Sequence, residues 1–285
     1  MERLSGHTPP RLRDRLLDAA MRLPPDTELA TESVRVWDRY IGGTELRIAR
    51  QQYEPESGTP FILDFSAAGD ATRRRLFGGE ILIETVSPAE AGGEPVAVPC
   101  AVVEHARGAV FLRGASLAAL VTRLRANPSP ALPADETVRL YVVEEGDQAA
   151  RIAVRISRVE SSPVLYDAEF DVRVRHTGRT RAVVRSMATT VEELGLPVAQ
   201  RGTNRRRRGS LWRLGAFWCF ESVPGGVLAG CEWLMLRREL PWPLRMLAGP
   251  SAHDQAPRTL GRLLRALRRE APMIPMVDRR LPVVD

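Results

Sequence analysis

Between Val164 and Arg175 the apolar residues Val164, Tyr166, Ala168, Phe170, Val172 and Val174 alternate with Asp167, Glu169, Asp171, Arg173 and Arg175. A period of two with one charged face predicts a strand that meets water on one side and a core on the other. ETVRLYVVEEGD, AARIAVRISRV and RTRAVVRSMATTVEEL read as further strands. Turn signals at Glu145-Gly146-Asp147 and Thr177-Gly178 predict hairpin links between them. LWRLGAFWCFES and VLAGCEWLMLRREL, joined by the Pro224-Gly225-Gly226 turn, predict one long antiparallel hairpin. Upstream, AVVEHARGAVFLRG reads as a strand, and GASLAALVTRLRA as a helix with Leu117, Leu120, Val121 and Leu124 on one side. The period then changes once more near the end. RTLGRLLRALRRE places Leu260, Leu263, Leu264 and Leu267 on one side and Arg262, Arg265, Arg268 and Arg269 on the other, so one helical face is expected to be buried.

Ahead of the strands the pattern is more helical. PRLRDRLLDAAMRL predicts a helix over 10–23, ended by Pro24-Pro25. A second helix is expected from about Thr31 as its cap, with Val34, Trp37, Tyr40, Ile41 and Ile48 as its apolar stripe and a kink at Gly42-Gly43. PFILDF and ILIETV read as short strands or anchors, and GDATRRRLFGGE as a short helix turned by Gly78-Gly79. The expected organisation is a mostly helical extension over 1–96, a main domain over 97–272 and a tail over 273–285.

Composition narrows the partners only slightly. The 285 residues are 44% hydrophobic and 6% aromatic, with five Trp, and the net charge is +6. Every basic residue is Arg, and Asn occurs only at Asn127 and Asn204. That usage fits GC-rich codons and weakens any argument from the pI of about 10.0. The only dense charge run is Arg201 to Arg213, in which Arg205, Arg206, Arg207 and Arg208 are consecutive. It suits phosphates of an anionic membrane surface or of nucleic acid, but a solvated loop between strands, written in Arg by the same codon usage, is the plainer reading. Bases would find no interleaved aromatic side chains there. No stretch approaches the about 20 apolar residues that span a bilayer, and none has the form of a signal peptide, so a cytoplasmic location is expected.

Candidate chemistry is sparse. Cys100, Cys219 and Cys231 show no CxxC spacing, which argues against a zinc site; Cys219 and Cys231 lie in the two arms of one hairpin, which leaves a cross-strand disulfide open. GxSxG, HExxH, P-loop and GxGxxG motifs do not occur, so no cofactor, metal or catalytic residue is expected. His7, His105, His176 and the His253-Asp254 pair do not assemble into a site on paper.

Strand, helix, six strands and a long C-terminal helix form the order of the helix-grip, or START-like, superfamily, which includes polyketide cyclase/dehydrase and lipid-transport proteins. LWRLGAFWCFES-x-x-GGV-x-x-x-CEW, RRELPWPLRMLAGP and PRTLGRLLRALR resemble uncharacterised bacterial START-like proteins, as do VWDRYIGGTELRIA, GEILIETV and HARGAVFLRGASL upstream. The resemblance implies an α+β helix-grip fold, with a curved antiparallel sheet of about seven strands around the C-terminal helix. It also implies a cavity between sheet and helix that takes an apolar small molecule or lipid. If Arg213 and Glu221 point outward, Trp212, Leu214, Trp218 and Phe220 point inward. Tyr166, Phe170, Trp218, Trp233 and Met235 are the expected lining, under a roof of Leu260, Leu263 and Leu267. Aromatics at strand spacing also serve as plain core. A cyclase/dehydrase-type enzyme would use the same cavity and would need an ionisable group in it, with Tyr166, His105 and His176 as candidates. Nucleic-acid binding through the Arg run is the remaining alternative.

Overall fold

The computed structural model describes residues 27–53, 69–89, 95–126, 137–145, 149–158, 164–177, 179–194, 211–239 and 255–271. The helix expected over 10–23, PFILDF, the Arg201–Arg208 run, His7 and His253-Asp254 lie outside the described residues.

Helix α1 spans Thr27–Tyr53 and helix α2 Gly69–Phe77. One expectation for α1 is corrected: it starts before Thr31, which is therefore inside it. The helix is continuous through Gly42-Gly43. Trp37, Ile41, Thr44 and Ile48 are all buried, so packing on both sides of the glycine pair offsets its weak helix propensity. At the end of α2 the Gly78 N–H donates to the Arg74 carbonyl at 2.9 Å, and Gly79 takes φ 92°, a left-handed conformation that favours glycine at a helix end.

The strands are β1 Leu82–Val86, β2 Ala101–Arg113, β3 Thr137–Glu145, β4 Ala149–Arg158, β5 Val164–Thr177, β6 Arg181–Leu194, β7 Leu211–Val223 and β8 Gly226–Arg238. They form one sheet of eight in the order β1-β2-β8-β7-β6-β5-β4-β3, and every pairing is antiparallel. The expected count was about seven; ILIETV supplies the extra strand by pairing with β2 at the sheet edge. Helix α3, Leu117–Ala126, connects β2 to β3, and α4 spans Gln255–Glu270.

Helices cover both sides of the sheet. On one side Trp37, Ile41 and Ile48 of α1 and Leu76 of α2 share a cluster with Phe217, Leu234 and Leu236. On the other, Leu120 and Val121 of α3 and Leu260, Leu263, Leu264 and Leu267 of α4 share a second cluster with alternate residues of the same strands. Because β8 lies between the two layers, it is buried almost throughout, and its sequence accordingly reads as a nearly continuous apolar run rather than an alternation. β5 keeps the alternation: Ala168, Phe170, Val172 and Val174 are buried, whereas Glu169, Arg173 and Arg175 are exposed.

The seat of α4 is made by small residues. α4 packs chiefly on β2 and also on β1 and β8, while α3 packs on β5, β6 and β7. At Gly108 in β2 a Cβ would stand 2.8 Å from Leu264 Cδ1 and 2.9 Å from the Leu82 carbonyl oxygen, and at Gly261 in α4 one would stand 2.9 Å from Ile83 Cδ1. A side chain at either point would have to displace the leucine or isoleucine ends that fill the contact, and at Gly108 it would also meet the backbone of β1. Arg265, Arg268 and Arg269 stay exposed on its far face, and Arg268 Nη1 donates to the Gly79 carbonyl at 2.6 Å.

Candidate functional site

The α4 side of the sheet gathers seven of the eight residues expected to line a ligand: Phe170, Trp218, Trp233, Met235, Leu260, Leu263 and Leu267 belong to one buried cluster. Tyr166 lies in β5 opposite Ile156 and Glu193; its side chain lies outside the described residues. Trp218 and Phe220 stack nearly parallel, with ring centroids 6.1 Å apart. Trp212 belongs to the α1-side cluster instead. The pairing of β7 with β8 slips between Leu211 and Arg213, and such a bulge breaks the strict in-and-out alternation from which an inward Trp212 was expected.

Two polar atoms on this side have no hydrogen-bond partner among the described residues. The Trp233 indole nitrogen and the Gln255 side-chain oxygen are both shielded from solvent without a hydrogen bond. Trp233 as a whole is 6% exposed, so solvent does not satisfy its N–H, a state that costs about 1–3 kcal/mol if nothing meets it. Nearby, buried Glu104 of β2 accepts the Ala256 N–H at 3.0 Å through one oxygen and Arg237 Nη1 at 2.7 Å through the other. A carboxylate against the first turn satisfies an orphan backbone donor and opposes the positive end of the helix dipole, so Glu104 fixes where α4 begins.

Behind the sheet, on the α1 side, a polar chain runs inward from α1. The Tyr40 hydroxyl lies 2.7 Å from His105 Nδ1, and His105 Nε2 lies 3.0 Å from Glu232 Oε2. Arg47 also bonds Glu232, while Arg107 stands 3.6 Å from Glu232 Oε1 and 3.4 Å from Glu84. Burial alone would raise the Glu232 pKa, but the hydrogen bond from His105 and the charges of Arg47 and Arg107 together outweigh it and hold the carboxyl at about 2. Burial lowers the His105 pKa despite its bond to Glu232. Burial, with the Glu232 charge adding to it, pushes Tyr40 up to about 12. These directions settle the proton positions. The ionised Glu232 only accepts, so His105 Nε2 donates to it, which leaves Nδ1 to accept from the Tyr40 hydroxyl. A neutral, fully occupied His105 holds α1 against β2 and β8, and Arg185 of β6 adds a further tie to Glu45 of α1 at 3.3 Å.

The linkage sign is the same for both internal groups. His105 is neutral in the folded protein below its ordinary pKa of 6.5, so folding stability falls as pH drops below 6.5. Glu232 contributes stability above its ordinary 4.5 that is lost between 4.5 and about 2. Thermal unfolding followed from pH 8 to pH 4 is expected to show a midpoint that declines from about pH 6.5 downward. A midpoint that stays constant over that range would refute the arrangement.

His105 therefore turns away from α4, which corrects its candidacy as an ionisable group facing a cavity under that helix. His176 is exposed near the end of β5. The Tyr40–His105–Glu232 chain itself was missed in the sequence, although a lone Glu within GCEWLML and a Glu-His pair beside Arg107 were signals that a buried partner set was present. The disulfide left open is excluded too. Trp218 faces Cys231 and Cys219 faces Gly230, so the two thiols are one position out of step, lie in the two different clusters and are free.

An antiparallel sheet that seats a long C-terminal helix on one face, with β2 paired to the last strand, is a helix-grip arrangement. No family model matches the chain, and no curated protein matches it. Three solved structures to which it is similar are the ZhuI aromatase/cyclase from Streptomyces sp. R1128, a STAR-related lipid transfer protein fragment from Xanthomonas axonopodis and human STARD10. Identity to the first is 13% over 60% of this chain and 94% of the other, with a TM-score of 0.40. The values are 16%, 66%, 97% and 0.42 for the second, and 7%, 67%, 70% and 0.43 for the third. Among the described residues no helix is long and apolar enough to cross a membrane.

Proposed function

We propose that the chain binds an apolar small molecule or lipid between the sheet and α4. The observation that carries this reading is the Trp233 N–H, which has no hydrogen-bond partner among the described residues although Trp233 belongs to the buried cluster under α4. Small-molecule sites combine an apolar lining with a few polar atoms that are satisfied when the ligand arrives. Phe170, Trp218 and Met235 supply lining on the sheet, and Leu260, Leu263 and Leu267 supply it on the helix. Native mass spectrometry after detergent-free purification is expected to show added mass, and N-phenyl-1-naphthylamine is expected to brighten on mixing with protein stripped of that mass. Neither added mass nor dye uptake would overturn the proposal.

A further inference from the structure

We infer that the ligand carries a hydroxyl group and that this group is held by the Trp233 N–H and the Gln255 side-chain oxygen; the inference rests on the apolar-ligand reading above. The two unpartnered atoms are of opposite kind, one donor and one acceptor. They lie toward the same end of the α4 face. Trp233 pairs with Ala106 across the β2–β8 ladder, and the next same-face pair is Met235 with Glu104. Glu104 accepts the backbone N–H of Ala256, the chain neighbour of Gln255. Glu104 thus ties the first turn of α4, where Gln255 lies, one same-face step, roughly 7 Å along the strand, beyond the Trp233–Ala106 pair.

The chemistry of the pair selects the head group. A ketone, ester or ether oxygen accepts from Trp233 but offers nothing to Gln255. A carboxylate has the same defect, and it would enter beside the Glu104 carboxylate, whose oxygens already hold the Ala256 N–H and Arg237. A hydroxyl accepts the indole hydrogen and donates its own to the glutamine oxygen. It completes both groups with one atom, in surroundings where each missing bond is costly because water does not replace it.

The test compares 1-dodecanol with 1-methoxydodecane as displacers of N-phenyl-1-naphthylamine, in wild type, Trp233→Phe and Gln255→Met. Both substitutions put an apolar side chain of similar reach in place of one that carries a polar group. In wild type the alcohol is expected to displace dye at about tenfold lower concentration than the ether, as one to two recovered hydrogen bonds imply. In each variant that ratio is expected to fall to no more than about threefold, read within each protein so that any change in dye affinity cancels. Comparing ratios between proteins cancels the different aqueous solubilities of the two probes. An equal ratio in all three proteins overturns the hydroxyl assignment and leaves the apolar site standing. A ratio lost in Trp233→Phe alone overturns the role of Gln255. Failure of wild type to take up the dye overturns the underlying site instead.

Discussion

Gly108→Val is expected to unseat the C-terminal helix. The new Cβ would fall 2.8 Å from Leu264 Cδ1, 3.1 Å from Leu260 Cδ2 and 2.9 Å from the Leu82 carbonyl oxygen. The leucine ends can rotate, but the carbonyl is backbone in the neighbouring strand, so relief requires β1, α4 or both to move. Overpacking a close contact costs about 1–3 kcal/mol, and the two γ methyls of valine place this case at the upper end. A drop of about 3 kcal/mol lowers the thermal midpoint by roughly 6 to 12 °C for a chain of this size. Dye uptake should fall in parallel, because Leu260, Leu263 and Leu267 reach the candidate site only from a seated helix. Calorimetry and dye titration on the same sample check both parts. A stable variant with unaltered uptake would show that α4 is not held at Gly108.

Glu232→Ala is expected to cost more. It removes the acceptor of His105 and the counter-charge of Arg47 and Arg107 in one step. Breaking a buried ion pair by deleting one partner typically costs about 3–5 kcal/mol, because the remaining charge stays desolvated. The loss should appear as a lower denaturant midpoint with an unchanged slope. Glu80→Ala provides the contrast. Glu80 binds Arg75 through two bonds of 2.6 and 2.7 Å, closer than the His105–Glu232 bond, but both partners are exposed, where solvent screens the pair and no measurable change is expected. If the two variants unfold at the same midpoint, burial is not what gives Glu232 its weight.

Strand-by-strand reading was most successful where the two faces of an element meet different surroundings. The alternation in β5 and the leucine stripe of α4 each have one wet and one dry side, and the burial of both follows from periodicity alone. It was weaker in β7 and β8, which are covered on both sides. There the apolar run shows that the strands are central but not which residues face which helix, and one bulge was enough to send Trp212 to the α1 side. The polar chain from Tyr40 to Glu232 joins residues separated by 65 and 127 positions, and local pattern carries no information about such meetings.

What the amino-acid order determined by itself is therefore the inventory: the hairpins, the amphipathic last helix, the aromatic-rich final strands and the lack of familiar catalytic motifs. These follow from short-range sterics and from the match between hydrophobic period and backbone period. Only the tertiary structure decided that α1 covers the second face of the sheet, that His105 and Glu232 turn toward it, and that Trp233 and Gln255 keep polar atoms with no partner among the described residues. Those outcomes depend on which side of a strand each helix lands, a choice made by long-range packing and by the desolvation of a few charged groups.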